Sequence, residues 1–273
     1  MTRSATAGPA GLVANRQLPV AGLLVGIGVC GLIFVPVSRF GPDWPAAGGV
    51  RFGLTMDDWL ARRLDRLYAE GQAHDARQAD RLSRRRNLEP TSASLLAQLV
   101  RVAAARAIVE IGTSNGYSTI WLADAAAAVG GQVVSVDNAS TDLAQRNLAE
   151  TGLADVVNLV VADGGDYLAQ APSASIDFLF LDAERTAYLG WWPEVQRVLR
   201  PGGLLVIDNA LAPDPAELTD LLAAILATDR WTSDTVPIGK GLFLAGKASR
   251  DGTRDPGGPV RATEDVGAPR SAS

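Results

Sequence analysis

The sequence predicts an α/β protein: a mostly parallel sheet with helices on both faces and an antiparallel hairpin at one edge. Three observations carry this. Short, almost wholly apolar runs such as 176–181 (IDFLFL) and 203–207 (GLLVI) alternate with helix-length segments, the pattern of strands buried on both faces. Residues 108–123, IVEIGTSNGYSTIWLA, read as strand, acidic residue, glycine-bearing turn and helix, the opening unit of a nucleotide-type α/β domain. Two last strands, 231–236 and 241–245, are separated only by Pro237, Ile238, Gly239 and Lys240, which makes them a hairpin.

Taken in order, residues 18–37 come first: a run without a charge, flanked by Arg16 and Arg39 and long enough to span a bilayer. Two readings stand for this extension, residues 1–55. Either 18–37 is a membrane anchor that leaves the catalytic domain in the cytoplasm, or the chain starts at Met56 and the protein is cytoplasmic. From Met56 the spacing predicts a helix with Trp59, Leu60, Leu64, Leu67 and Tyr68 on its buried face and Arg62, Arg63, Asp65 and Arg66 elsewhere. His74 and the cluster Arg84, Arg85, Arg86 read as solvated polar connections. Thr91 or Ser92 can cap the next helix, whose Leu95, Leu96, Leu99 and Val100 repeat at helical spacing. Beyond 108–123 come strand 132–136, helix 141–151, strand 156–162, helix 166–171, strand 176–181, helix 188–199, strand 203–207 and helix 215–228. Residues 248–273, rich in Gly, Pro, Arg and Asp without periodicity, read as a disordered tail. The domain is therefore expected over 56–247.

Composition narrows the chemistry. Twenty-five basic against 30 acidic residues give a net charge of -5, without the basic surplus a nucleic-acid binder needs, so a small-molecule partner is expected. One cysteine, Cys30, and one histidine, His74, exclude an internal disulfide, a histidine-based triad and a cysteine or histidine metal cage. Any metal must be held by oxygen.

In an open parallel sheet the ligand lies beyond the carboxyl ends of the strands. Each of the five parallel strands delivers a carboxylate there: Glu110, Asp137, Asp163, Asp182 and Asp208. Such a cluster repels itself unless a cation or a donor-rich ligand sits within it. The turn is spaced Gly112-x-x-x-Gly116 rather than G-x-G-x-x-G, which disfavours a nicotinamide dinucleotide and an oxidoreductase. Glu110 suits a ligand with an ammonium group, Asp137 can accept from both ribose hydroxyls and Asp163 from an adenine amino group. Singly, each also reads as a turn or cap residue. Together they point to an adenosine with an amino-acid tail.

The run VEIGTSNGYST, the acidic end of VVSVD, the block DFLFLDAERTAYLGWWPEVQRVLRPGGLLVIDN and the late VPIGKGLFL resemble the S-adenosylmethionine-dependent O-methyltransferases of the catechol and caffeoyl-CoA type. The resemblance covers about residues 56 to 247. It implies a Rossmann-like class I methyltransferase fold with a seven-stranded, mostly parallel sheet. It also implies that Glu110, Gly112, Ser114, Gly116 and Ser118 line the methionine part of S-adenosyl-L-methionine, with Asp137 on the ribose and Asp163 near the adenine. A divalent cation, normally Mg²⁺, is implied at Asp182, Asp208 and Asn209. Two carboxylates and an amide oxygen make the hard, partly filled site such an ion accepts.

Methyl transfer then needs an acceptor oxygen aligned with the sulfonium methyl and made nucleophilic; a small hydroxylated, phenolic or catechol-like molecule supplies it, and chelation at the cation lowers the pKa of its hydroxyl. Two departures stand out. The lysine usual three residues after the first metal aspartate is Arg185, which stays protonated; it can orient a phenolate, and so act in catalysis beside Asp182, or pair with Glu184. The aspartate of the late P-I-G-D-G turn is Lys240, which bears on local pairing or on a homodimer contact. Tyr188, Trp191 and Trp192 can wall an aromatic acceptor or pack on the sheet. A membrane-tethered, S-adenosylmethionine-binding sensor or scaffold is the alternative to an enzyme.

Overall fold

The computed structural model describes residues 56–249, Leu82 excepted. The run 18–37 and the tail beyond 249 lie outside the described residues. Among the described residues no helix is long and apolar enough to cross a membrane.

Two helices, α1 (Asp58–Asp75) and α2 (Pro90–Val102), precede the alternating part. Then follow β1 (Ala107–Ile111), α3 (Tyr117–Val129), β2 (Gln132–Asp137), α4 (Asp142–Thr151), β3 (Val157–Val161), α5 (Gly164–Gln170) and β4 (Ile176–Leu181). The chain closes with α6 (Tyr188–Val198), β5 (Leu199–Ile207), α7 (Thr219–Leu226), β6 (Trp231–Val236) and β7 (Leu242–Lys247). One seven-stranded sheet results, in the order β3-β2-β1-β4-β5-β7-β6. β1 to β5 run parallel; β7 is antiparallel to both β5 and β6, as the hairpin reading requires.

Strand β4 shows why the sheet needs helices on both sides. Phe178 and Phe180 belong to the core beneath α1, α2 and α3, with Leu64, Leu96 and Ile120. Leu179 and Leu181 belong to the opposite core, with Val195, Ile225 and Trp231. The two-residue period sends alternate side chains to opposite faces, so both must be apolar. Each fully buried Phe contributes about 2 to 3 kcal/mol through desolvation alone.

Several local expectations are corrected. Helix α2 begins one residue before the hydroxyl pair: Glu89 is its N-cap and Pro90 its first residue, and no side chain makes the capping bond. Proline is favoured there because its missing N–H would be unsatisfied anyway. Ser92 is instead fully buried. On α1, Trp59 turns outward at 43% exposure, and Arg63 turns inward to Glu150 (2.8 Å) and Asn147 (3.1 Å). Burial of a guanidinium is tolerated where carboxylate and amide oxygens meet its fork. β5 starts four residues early because Leu199 pairs with Ile176 before a register shift. Residues 215–218 form a 3-10 turn ahead of α7.

Candidate active site

The strand order diverges at β1 and β4, so their carboxyl ends open one crevice. Gly112 makes the close approach possible. Its φ is +112°, and a Cβ there would stand 2.2 Å from the carbonyl oxygen of Asp182. Only glycine fits both constraints. The turn is clamped by Asp182 N–H donating to Ile111 O (2.9 Å) and Gly112 N–H to Val136 O (2.8 Å).

Glu110 lies beneath the turn and does not line it. It is fully buried and accepts from Ser118 Oγ (2.5 Å), Thr119 Oγ1 (2.5 Å) and Ser135 Oγ (2.5 Å). Burial raises its pKa to about 7 against the pull of those three hydroxyls. Glu110 and Ser118 therefore tie β1 and β2 to the start of α3. No face of Glu110 reaches solvent, and Ser118 is 6% exposed.

Asp137 Oδ2 accepts from the amides of Thr113 (3.0 Å) and Ser114 (2.8 Å), and its Oδ1 from Ala139 N (2.9 Å). It remains half-buried at the end of β2. Ser114 is exposed, adopts φ +49° and donates to Arg85 O (2.9 Å). The arginine-rich connection leaves Arg84 and Arg86 exposed, as a solvated connection should, and its backbone at Arg85 also meets the glycine turn. Asp75 holds it through the amides of Arg85 (2.7 Å) and Arg86 (2.9 Å), and Arg86 Nη1 reaches Glu184 at 3.3 Å. Asp163 caps α5, accepting from Gly165 N (2.8 Å) and Asp166 N (3.1 Å). Trp191 packs on this turn; a Cβ on Gly164 or Gly165 would meet its ring at 2.9 Å and 2.4 Å. Trp192 is buried against Trp231. Of the three aromatics weighed as acceptor walls, Trp191 therefore belongs to the Asp163 end, Trp192 to the core, and Tyr188 is buried with its hydroxyl accepting from Ala183 N.

Asp182, Asp208 and Asn209 come together at the ends of β4 and β5. Asn209 Nδ2 donates to Asp208 Oδ2 (2.6 Å) and Asp182 Oδ1 (3.3 Å). Asp208 is 2% exposed, and its Oδ1 is buried without a partner. Asp182 keeps part of its surface open, but its carboxyl sits deep. Both carboxyls are pushed well above the usual carboxylate range, first by burial; the charge of Glu110 then adds at Asp182, and that of Asp182 at Asp208. Two buried carboxylates with an orphaned oxygen are a donor set that fits a hard divalent cation. Half a turn of the Asn209 amide would add its oxygen.

Arg185 is corrected most. It is 5% exposed and pairs with Glu217, not Glu184: Nε donates to Glu217 Oε2 (2.7 Å), and Nη1 to the carbonyls of Asn209 (2.6 Å) and Ala212 (3.3 Å). With its donors engaged, it braces the Asn209 loop. Sequence reasoning also missed Glu89, whose carboxylate meets Lys240 Nζ at 2.9 Å. Its only signal was its place before Pro90.

A family model described as a methyltransferase domain matches residues 109–210. The catechol O-methyltransferase of Mycobacterium tuberculosis is 33% identical over 161 residues, which is 57% of this chain and 70% of that protein. The chain belongs to the S-adenosylmethionine-dependent O-methyltransferases of the catechol and caffeoyl-CoA type. Among solved O-methyltransferases, that of Bacillus cereus in complex with SAH aligns at a TM-score of 0.57 with 25% identity, over 71% of this chain and 92% of the other. TomG of Streptomyces achromogenes, in complex with SAM, aligns at 0.55 with 26% identity, over 71% and 91%. The chain is accordingly an S-adenosylmethionine-dependent O-methyltransferase with the class I fold.

Proposed function

We propose that residues 56–247 form a catalytic domain that methylates a hydroxyl of a small phenolic or catechol-like acceptor with the help of a divalent cation, Mg²⁺ by its donor set. The observation that carries this is the buried, unpartnered Oδ1 of Asp208 beside Asp182 and Asn209. An isolated acidic pair of this depth has no structural advantage, and a cation between the carboxylates would relieve it. Bound there, a divalent cation supplies Lewis-acid polarisation of the acceptor hydroxyl.

The chain's own residues supply the rest. Gly112, Ser114, Gly116 and Asp137 shape the edge for the methionine and ribose parts, and Asp163 with Trp191 the adenine end. Leu211, exposed by half beside the Asp208–Asn209 turn, gives an aromatic ring an apolar surface. Arg185 keeps the Asn209 and Ala212 carbonyls in place and serves as a positioning residue. In-line attack by the acceptor oxygen forms the O–CH₃ bond, the S–CH₃ electron pair leaves with sulfur, and the hydroxyl proton goes to solvent.

One observation favours the alternative of a weakly active sensor: Arg185, standing where the family resemblance implies a lysine, has its donors engaged by Glu217 and by the Asn209 and Ala212 carbonyls. Labelled methyl transfer to a panel of catechols and monophenols, with Mg²⁺ or with chelator, separates the two. Turnover lost on chelation and in Asp208→Ala is expected. Tight S-adenosylmethionine binding without turnover on any acceptor favours the sensor, and turnover indifferent to chelator removes the cation.

A further inference from the structure

The turn between β6 and β7 joins two parts of the site that are distant in sequence. On one side it is hydrogen-bonded to the loop after Asp208: Ala210 N–H donates to Gly241 O (2.9 Å) and Leu211 N–H to Lys240 O (2.8 Å). On the other it presses on the start of α2. Gly239 has φ +57°, and a Cβ there would lie 2.4 Å from Ser92 Oγ and 2.7 Å from Glu89 Oε2. Lys240 Nζ meets Glu89 Oε1 at 2.9 Å, while Glu89 Oε2 and Ser92 Oγ are buried without partners. The backbone of Lys240 is thereby bonded to the loop that follows Asp208 and Asn209, and its ammonium is paired with Glu89; the lysine charge favours the ionised carboxyls of Asp182 and Asp208, while the charge of Glu89 opposes them.

We infer that Lys240 is a built-in counter-charge of the acidic pair, held in place by Glu89, and that it sets how weakly the site binds a divalent cation. This rests on the cation reading above. A fixed positive charge beside two carboxylates offsets part of the charge that draws a cation in, and opposes its entry directly. Glu89 restrains the ammonium; without it the lysine swings toward the aspartates and competes more strongly.

The test is Mn²⁺ affinity, read by electron paramagnetic resonance on the full chain saturated with S-adenosylhomocysteine. Lys240→Met and Lys240→Gln should each tighten Mn²⁺ binding by about tenfold at low salt, with the gain shrinking as ionic strength rises. Glu89→Gln should weaken it by about threefold. Calorimetric binding of S-adenosylhomocysteine reports whether each variant keeps its fold. If both lysine variants bind S-adenosylhomocysteine normally and Mn²⁺ no more tightly than the parent, this inference is wrong and the cation site stands. If parent and variants all bind S-adenosylhomocysteine but none binds Mn²⁺, the cation reading and this inference fall together.

Discussion

Glu110 holds a charge problem that sequence position alone conceals. Its carboxyl is raised from the ordinary 4.5 to about 7, so the folded protein binds its proton more tightly than the unfolded chain. The resulting stability is present in full below about pH 4.5 and is lost as pH rises to about 7, a change of about 3 kcal/mol. Glu110→Gln should remove that portion of the pH dependence, making the difference between variant and parent grow in the variant's favour from pH 5 to about pH 7. Denaturant unfolding across this range checks it; parallel curves would mean that Glu110 ionises freely in its pocket. Arg185 makes a second residue-scale prediction. Arg185→Met strands Glu217 and the carbonyls of Asn209 and Ala212, and should destabilise the fold by about 2 to 3 kcal/mol. If instead Arg185→Met abolished turnover with stability and cation affinity unchanged, the residue would be catalytic rather than bracing.

At the scale of elements, the turn before α5 depends on Trp191 from α6. Trp191→Ala removes the ring against Gly164 and Gly165, and should weaken S-adenosylmethionine binding by about tenfold while leaving Mn²⁺ binding at the acidic pair unchanged. Calorimetry with each ligand tests this; equal loss of both would show that Trp191 supports the whole sheet edge. The same elements show what the sequence made legible. Strands such as β4 were readable because burial on both faces leaves an apolar run, and the ends of β2, β4 and β5 could be read from them, which placed Asp137, Asp182 and Asp208. What was hidden depended on long-range contact. Arg63 turns inward only because Glu150 and Asn147, more than 80 residues later, await it. Arg185 finds Glu217 through the loop after β5, although Glu184 is its neighbour. Glu89 and Lys240, some 150 positions apart, meet only once β7 closes the sheet. Helix starts shifted by up to four residues because Pro90 and the 3-10 turn at 215–218 set starts that periodicity blurs.

For the whole molecule, one crevice at β1 and β4 divides the labour. Asp137 and Asp163 occupy the side of the sheet ending in β3, while Asp182 and Asp208 occupy the side leading to β5. On the cation proposed above, the raised carboxyls of the acidic pair would make its uptake proton-coupled, since both must deprotonate to ligate. Mg²⁺ affinity should therefore rise between about pH 6 and about pH 8.5, with proton release detectable in buffers of different ionisation enthalpy. The most direct measurement is anomalous scattering from crystals grown with Mn²⁺ and S-adenosylhomocysteine. A Mn²⁺ peak within coordination distance of Asp182, Asp208 and Asn209, beside a nucleoside resting on Asp137 and Asp163, is the predicted result. S-adenosylhomocysteine in place with no Mn²⁺ peak at the acidic pair would contradict the account.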